Sequence, residues 1–263
     1  MCVTLSRAVL SKTVIYAGSA MRDGREVTVL AYQNRATSRG ANAMILPIPT
    51  EVPMGPANIV DTREARWFLN DLDTATRQRV VRYKSIGGGM LLGARSPAQV
   101  FDSGSYTVVL ATDAETIPEA LERVPVPKRP TVARSFFTDY GKLYPGWPIA
   151  VCCWSGEIEA EPLLWWYEAK YPGWLFFPTV DAHDGAPPIQ QEVLVDHTLI
   201  WGASKGAFKP WYRAPLPSTI DQLLAPALDA LHPNGVHANG DFWVRDGGNP
   251  KRVFPNGAAP WTP

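Results

Sequence analysis

Aromatic and β-branched residues are concentrated between Trp147 and Trp201, and this constrains the fold of the chain more than any other feature. They fall in four short runs that polar, proline or glycine turns separate: IAVCCW, LLWWYE, WLFFPTV and EVLVDHTLIW. Runs of this length and composition favour β-strands over helices. We predict that the four runs form the central antiparallel sheet of the protein.

The N-terminal region also has the pattern of an antiparallel sheet. Two β-rich runs within residues 13–33 flank Asp23-Gly24, a pair that favours a two-residue hairpin turn because glycine tolerates positive φ. A third run, from Ala43 to Ile48, ends among prolines whose missing N–H groups stop a central strand from pairing further. The sequence therefore predicts a hairpin, a polar loop and a separate third strand.

Four segments have helical patterns, and together with the strands they set the fold class. The first begins where Asp61 and Glu64 are spaced as a reciprocal capping pair. The predicted helices cover residues 62–82, a short stretch after Asp113, residues 135–143 and residues 218–231. We predict an α+β fold, mainly antiparallel β-sheet with a few packed helices.

The length of 263 residues is near the upper limit for one domain. We predict a single α+β globular domain over residues 1–232. Residues 233–263 are rich in Gly, Asn and Pro but still contain Phe242, Trp243 and Trp261. This composition predicts an irregular C-terminal tail. Its aromatic residues are expected to pack it against the domain.

Charge and cysteine content exclude some classes of partner. Lys plus Arg and Asp plus Glu are equal at 25 each, so no global field attracts nucleic acid. No window approaches the roughly 18 uninterrupted apolar residues of a membrane span. The three cysteines lack spaced pairs, which is typical of a reducing compartment. We predict a soluble, cytoplasmic protein with no nucleic-acid and no membrane partner.

Several segments in succession resemble an uncharacterised bacterial family of mostly exported proteins with a "WVLPVP"-type motif. The segments are VLAYQNRA, NAMILPIP, SGSYTVVLATDAETIPEAL, FFTDYGKLYPGWPIAV and EPLLWWY, and they cover about two thirds of the chain. The family's cysteine-bearing N-terminus and export signal are not reproduced. The resemblance implies a shared fold and carries over no functional residue.

Cys2 is the first candidate for chemistry. Removal of Met1 would expose a cysteine whose own α-amino group can act as its base, as in N-terminal nucleophile hydrolases. The predicted hairpin suits such a fold, in which the nucleophile begins a strand of the sheet. The alternative interpretation is a small buried cysteine without a chemical role.

Asp181, His183 and His197 form the second candidate. If the strands around them form a hairpin, both imidazoles lie near one edge and can bind a metal ion with the carboxylate. The alternative is a turn, because Asp side chains in DAHDG can accept local N–H groups and Gly185 can supply the reversal.

The third candidate is a set of tryptophans: Trp165, Trp166, Trp174 and Trp201. Neighbouring Trp165 and Trp166 must point to opposite faces of a strand, so one enters the core and the other lies on a second surface. An exposed tryptophan needs a cover, which is either the C-terminal tail, a partner protein or a stacked ligand.

Two functions follow from these candidates. The first is a non-catalytic binding or assembly protein, whose aromatic sheet face engages a protein or a small-molecule ligand. The second is a hydrolase that uses Cys2 as nucleophile or a metal at His183 and His197. The sequence identifies no cofactor.

Overall fold

A computed structural model describes residues 2–77, 98–186, 192–194, 196–202, 211–232, 236–245 and 248–253. The strands in these residues are β1 Cys2–Val3, β2 Ala8–Arg22, β3 Arg25–Pro47, β4 Ile59–Val60, β5 Gln99–Ser103, β6 Tyr106–Ala111, β7 Ile149–Glu159, β8 Leu163–Tyr167, β9 Trp174–Phe177, β10 Asp181–Ala182, β11 Glu192–Leu194, β12 Thr198–Gly202, β13 Leu228–Leu231, β14 Val236–Ala238, β15 Asp241–Arg245 and β16 Lys251–Val253. The helices are α1 Phe68–Arg77, α2 Ile117–Leu121, α3 Arg134–Leu143 and α4 Ser218–Asp221. None of these helices is long and apolar enough to cross a membrane.

A long hairpin of β2 and β3 lies at the centre of the main sheet. Its strands pair antiparallel down to Arg22 opposite Arg25. The two residues between them, Asp23 and Gly24, have φ angles of 51° and 75°, the left-handed backbone that a two-residue turn requires. The predicted hairpin turn is confirmed.

The prediction of a separate third strand over residues 43–48 is wrong. Residues 43–47 are the far end of β3, which runs unbroken from Arg25 to Pro47. The polar stretch predicted as a loop stays extended, and the register of β3 against β7 shifts between Thr37 and Ala41. A bulge of this kind absorbs irregular residues without ending the strand.

The main sheet runs β13-β12-β2-β3-β7-β6-β5, and β8 pairs with both β3 and β4. It is mixed, because β12 lies parallel to β2 and the other pairs are antiparallel. The four runs between Trp147 and Trp201 do form strands, but they do not form one central sheet. Two of them, β7 and β8, pair with β3, while β9 belongs to a separate sheet with β15 and β16.

Each face of the main sheet buries its own apolar core. Alternate residues divide between the faces: Ile15, Leu30 and Trp165 belong to the larger core, which α2 and α3 cover. Their neighbours Tyr16 and Leu164 belong to the smaller core, which α1 and α4 cover. The period-two alternation of strand side chains therefore sets the layers of the fold.

Two predicted helices are shorter than expected. Residues 63–65 form a 3-10 turn and α1 begins only at Phe68, while residues 78–82 lie outside the described residues. The segment 218–231 has a helix of four residues, followed by strand β13 in place of the predicted last helical turns. The predicted helices after Asp113 and over residues 135–143 are confirmed as α2 and α3.

The residues predicted as an irregular tail contain three strands. β15 pairs with both β9 and β16, and Trp243 on β15 is buried. Residues 254–263, with Trp261, lie outside the described residues. The described part of the predicted tail therefore consists largely of β-strands that pair with the rest of the protein.

We expect Trp165→Ala and Trp166→Ala to differ in their effect on stability. Trp165 is fully buried in the larger core, so its truncation should cost about 3–5 kcal/mol through lost transfer energy and a cavity. Trp166 is partly buried, with the Arg22 guanidinium 4.4 Å from its ring centroid and its Nε1 donating to the Ala57 oxygen at 2.9 Å. Its truncation should cost about 1–2 kcal/mol. Urea unfolding of both variants measures the difference, and equal losses would contradict the assignment of faces.

Candidate functional site

The N-terminal segment lies along residues 181–183, so two of the sequence candidates share one place. β1 and β10 pair in parallel with Cys2 opposite Asp181. Beyond this strand, the N–H of Thr4 donates to the Ala182 oxygen at 2.9 Å, and that of Ala8 donates to the His183 oxygen at 3.1 Å. Cys2 and the Asp181 candidate were separate predictions, and the backbone register brings them together.

Asp181 lies between both candidate histidines. Its Oδ1 is 2.7 Å from Nε2 of His183 and 3.9 Å from Nε2 of His197. The His197 side chain is 4% exposed and that of His183 is 30% exposed, so only His183 has substantial access to solvent. We name these three residues the Asp181 cluster. The two histidines converge on Asp181, but the hairpin predicted to bring them together does not form, because β12 pairs with β2 and β13 while β10 pairs with β1.

The arrangement of the cluster differs from a metal centre. Two ligands at 2.0–2.1 Å from a tetrahedral zinc ion are roughly 3.3 Å apart, which is longer than the 2.7 Å from Asp181 to His183 and shorter than the 3.9 Å to His197. Among the described side chains, no group of three His, Cys, Asp or Glu residues is arranged to hold a metal ion. The 2.7 Å separation of Asp181 Oδ1 and His183 Nε2 is that of a close ion pair, and the two atoms do not have the angular geometry of a hydrogen bond.

The loop that carries His183 has the turn chemistry predicted for DAHDG. The Asp184 carboxylate accepts the N–H of Ala186 at 3.0 Å. Gly185 has a φ of 81°, and a Cβ at this position would lie 2.7 Å from the Leu5 oxygen. A side chain would therefore separate the loop from the N-terminal segment.

A bulge in β2 positions His197. The register of β2 against β3 shifts between Ser11 and Val14, and Lys12 has a left-handed φ of 54°. In this conformation the Lys12 N–H donates to the carboxylate of Asp196. The next strand, β12, then pairs in parallel with β2 from Thr198 onward. His197 is thus held between a side-chain hydrogen bond and a strand.

Asn239 holds the other side of Asp181. The Asp181 N–H donates to Oδ1 of Asn239 at 2.7 Å, and Nδ2 of Asn239 donates to the Asp181 oxygen at 2.6 Å. The side-chain amide therefore acts as a strand partner for Asp181, on the edge that β1 does not cover. Asn239 is 1% exposed. Sequence reasoning missed this residue, because an Asn-Gly pair signals only a turn.

A buried carboxylate lies two residues further along the chain. Asp241 Oδ1 accepts the N–H groups of Thr179 at 2.8 Å and Val180 at 3.3 Å, and its Oδ2 accepts the hydroxyl of Tyr144 at 2.7 Å. Burial raises the pKa of Asp241 to about 6, although these hydrogen bonds oppose the shift. Sequence reasoning did not find Asp241, because its partners are distant in the chain.

The Asp181 carboxylate is held in its charged form. Burial disfavours the charge, but the close contact with His183 and the positive charges of the histidines and the N-terminus outweigh it, so the pKa of Asp181 is lowered. A charged carboxylate on an imidazole N–H orients the ring and stabilises its protonated form. The cluster can therefore supply a general base to a nucleophile beside it.

The aromatic candidates do not form an exposed face. Trp165, Trp174 and Trp201 are each at most 5% exposed and belong to the larger core. Trp166 lies on the opposite face, as strand alternation predicted, but Arg22 covers its ring. The tryptophan set predicted for binding is thus mainly core packing.

No family model matches the chain, and no curated protein matches its sequence. The resemblance to a bacterial family therefore stays a prediction. Among solved structures, the crystal structure of baculovirus P35 is similar, with a TM-score of 0.46 and 13% sequence identity. The similarity covers 78% of this chain and 68% of that chain. Similarity at this level assigns neither a fold family nor a function.

We expect Asp241→Asn to change how stability depends on pH. The folded-state pKa of Asp241 is about 6 against an ordinary 3.8, so the folded protein binds more protons between these values. The stability that protonated Asp241 contributes is present below about pH 4 and is lost as pH rises through about 6. Two pKa units correspond to up to about 3 kcal/mol.

Urea unfolding of both proteins from pH 4 to pH 7 measures this effect. Asp181 and the other titrating groups are common to both, so they cancel in the difference. The unmodified protein should lose stability relative to Asp241→Asn as pH rises. A constant difference across the range would contradict a buried, titrating Asp241.

Proposed function

We propose that the chain is a thiol-dependent hydrolase of activated acyl bonds, with Cys2 as nucleophile, His183 as general base and Asp181 as the group that orients His183. The observation that carries the proposal is the register of β1 on β10. It pairs Cys2 with Asp181, whose carboxylate lies 2.7 Å from the His183 imidazole. A nucleophile, a base and an orienting carboxylate are the parts that covalent acyl transfer needs.

The proposed reaction has two steps. The imidazole of His183, which Asp181 contacts at Nε2, takes the proton of the Cys2 thiol, and the thiolate attacks the acyl carbonyl. The leaving group departs with a proton from the imidazolium and leaves a Cys2 thioester. Water, activated by the same imidazole, then hydrolyses the thioester to a carboxylic acid and restores the thiol. The partial exposure of His183 supports this role, because the base must meet substrate.

The alternatives predicted from the sequence draw less support. A metal-dependent hydrolase would need ligand atoms at the spacing of a coordination sphere, whereas Asp181 Oδ1 lies 2.7 Å from His183 and 3.9 Å from His197. A binding protein would need an accessible aromatic face, and three of the four tryptophans are buried. A binding role would therefore have to use other residues.

The remaining cysteines make the proposal easy to test. Cys152 and Cys153 are buried free thiols in β7. Burial raises the pKa of Cys152 well above its usual range and that of Cys153 to about 12. A thiol that stays protonated reacts slowly with electrophiles. Thiol chemistry of the folded protein should therefore be confined to Cys2.

We expect iodoacetamide at pH 7 to alkylate Cys2 roughly 100-fold faster than Cys152 or Cys153 in the folded protein. With p-nitrophenyl acetate, an acetyl thioester should form on Cys2 with release of p-nitrophenolate. His183→Gln should slow acylation by on the order of 100-fold, because the general base is lost. Peptide mass spectrometry locates both adducts, and absorbance follows the release.

His232→Gln is the matched control for His183→Gln. The His232 side chain is 20% exposed and its Nδ1 lies 3.6 Å from Asp73, so it is also a partly buried histidine beside an aspartate. Its replacement should leave acylation of Cys2 unchanged. Equal rates for Cys2→Ser and the unmodified protein, or equal effects of the two histidine variants, would exclude the proposed mechanism.

A further inference from the structure

The backbone that leads into Asp181 is held by residues from the end of the β14–β15 loop and the start of β15. Thr179 and Val180 donate their N–H groups to Asp241, and Asp181 exchanges two hydrogen bonds with Asn239. The Thr179 hydroxyl also donates to the Gly240 oxygen at 2.8 Å. Three consecutive residues, 239–241, thus bind three consecutive residues, 179–181. We name residues 239–241 the clamp.

The clamp is costly to bury. Asn239 and Asp241 are each 1% exposed, and a buried amide or carboxylate is destabilising unless hydrogen bonds replace its lost hydration. Apolar packing would hold the strand without this requirement, since replacing buried ionic groups by apolar residues is often neutral or stabilising. Hydrogen bonds are directional, so the polar groups fix the position of each backbone N–H and carbonyl that they bind.

That position determines the geometry of the Asp181 cluster. Asp181 has backbone partners on both edges, Cys2 in β1 and the Asn239 amide, so its Cα and the direction of its side chain are set from two sides. His183 follows two residues later in the same segment. A displacement of this backbone by a fraction of an ångström would change the 2.7 Å contact between Asp181 and His183.

We propose that Asn239 and Asp241 are positioning residues of the Asp181 cluster, which hold residues 179–181 so that the Asp181 carboxylate meets the His183 imidazole. The role in catalysis rests on the proposed function, whereas the role in geometry does not. Asp241 acts as an acceptor of two N–H groups, and Asn239 acts as both a donor and an acceptor. Neither residue touches the reacting atoms.

Conservative variants separate the acceptor role of Asp241 from its charge. In Asp241→Asn the amide oxygen can still accept the N–H groups of Thr179 and Val180, whereas Asp241→Ala removes the acceptor. In Asn239→Asp the acceptor for the Asp181 N–H remains, but the donor to the Asp181 oxygen is lost. Gln33→Ala is the matched control: Gln33 is 6% exposed and its amide binds the oxygens of Arg66 and Ala160, outside the cluster.

Two measurements report on the cluster in variants that urea unfolding shows to be folded. The first is the set of imidazole ¹⁵N chemical shifts, which report the protonated nitrogen of each ring. The chain has four histidines, and single His→Gln variants assign them. The second is the rate of iodoacetamide alkylation of Cys2 as a function of pH.

We expect Asn239→Asp and Asp241→Ala to shift the ¹⁵N resonances of His183 and to slow Cys2 alkylation at pH 7 by about 10-fold, the usual scale for loss of an orienting partner. Asp241→Asn should keep both readouts near those of the unmodified protein. Gln33→Ala should lower stability and leave both readouts unchanged. If Asp241→Ala does not fold, Asn239→Asp and Asp241→Asn still test the proposal.

The outcomes separate the positioning role from the proposed function. Unchanged His183 and His197 resonances in folded Asn239→Asp would overturn the positioning role. Shifts of equal size in Gln33→Ala would also overturn it, since the effect would then be general. If the resonances shift only in the clamp variants while neither these variants nor His183→Gln change Cys2 alkylation, the positioning role stands and the hydrolase is excluded.

Discussion

The backbone pairing of β2 with β3 is the interaction on which the other strands depend. On its other edge β3 pairs with β7 and β8, and on its other edge β2 pairs with β12. Both cores then form on the faces of this template, because alternate side chains of each strand point to opposite sides. The left-handed backbone at Asp23 and Gly24 closes the hairpin and fixes the register of β2 against β3 from the turn to the bulge at Ser11–Val14.

The Asp181 cluster, Cys2 and the clamp come from four stretches of chain that are distant in sequence. Cys2 comes from β1, Asp181 and His183 from β10 and the loop after it, His197 from the residue before β12 and the clamp from residues 239–241. Contacts of such long separation cost chain entropy before they contribute stability. The buried side chains of the clamp, Asn239 and Asp241, are hydrogen-bonded, which is the condition under which a polar network specifies a single arrangement.

Local features of the fold could be predicted from the sequence, because their physical cause lies within a few residues. The turn at Asp23-Gly24, helix α3 and the opposite facing of Trp165 and Trp166 are examples. Strand partners could not be predicted, because β7 and β9 have similar composition and yet join different sheets. Asn239 and Asp241 could not be predicted for a related reason: both are common turn residues, and their hydrogen bonds reach a segment about 60 residues away.

The convergence of His183 and His197 on Asp181 shows why residue types alone do not distinguish a metal centre from an acid–base pair. Both need an ionised carboxylate and imidazoles near each other. A metal requires the ligand atoms to surround a common point at coordination distance, whereas an orienting pair requires direct contact between carboxylate and ring. The 2.7 Å contact of Asp181 with His183 fits the second requirement. The clamp and β1 fix the backbone of Asp181 from both edges, and the direct contact of its carboxylate with the His183 ring leaves no space between these two atoms for an ion.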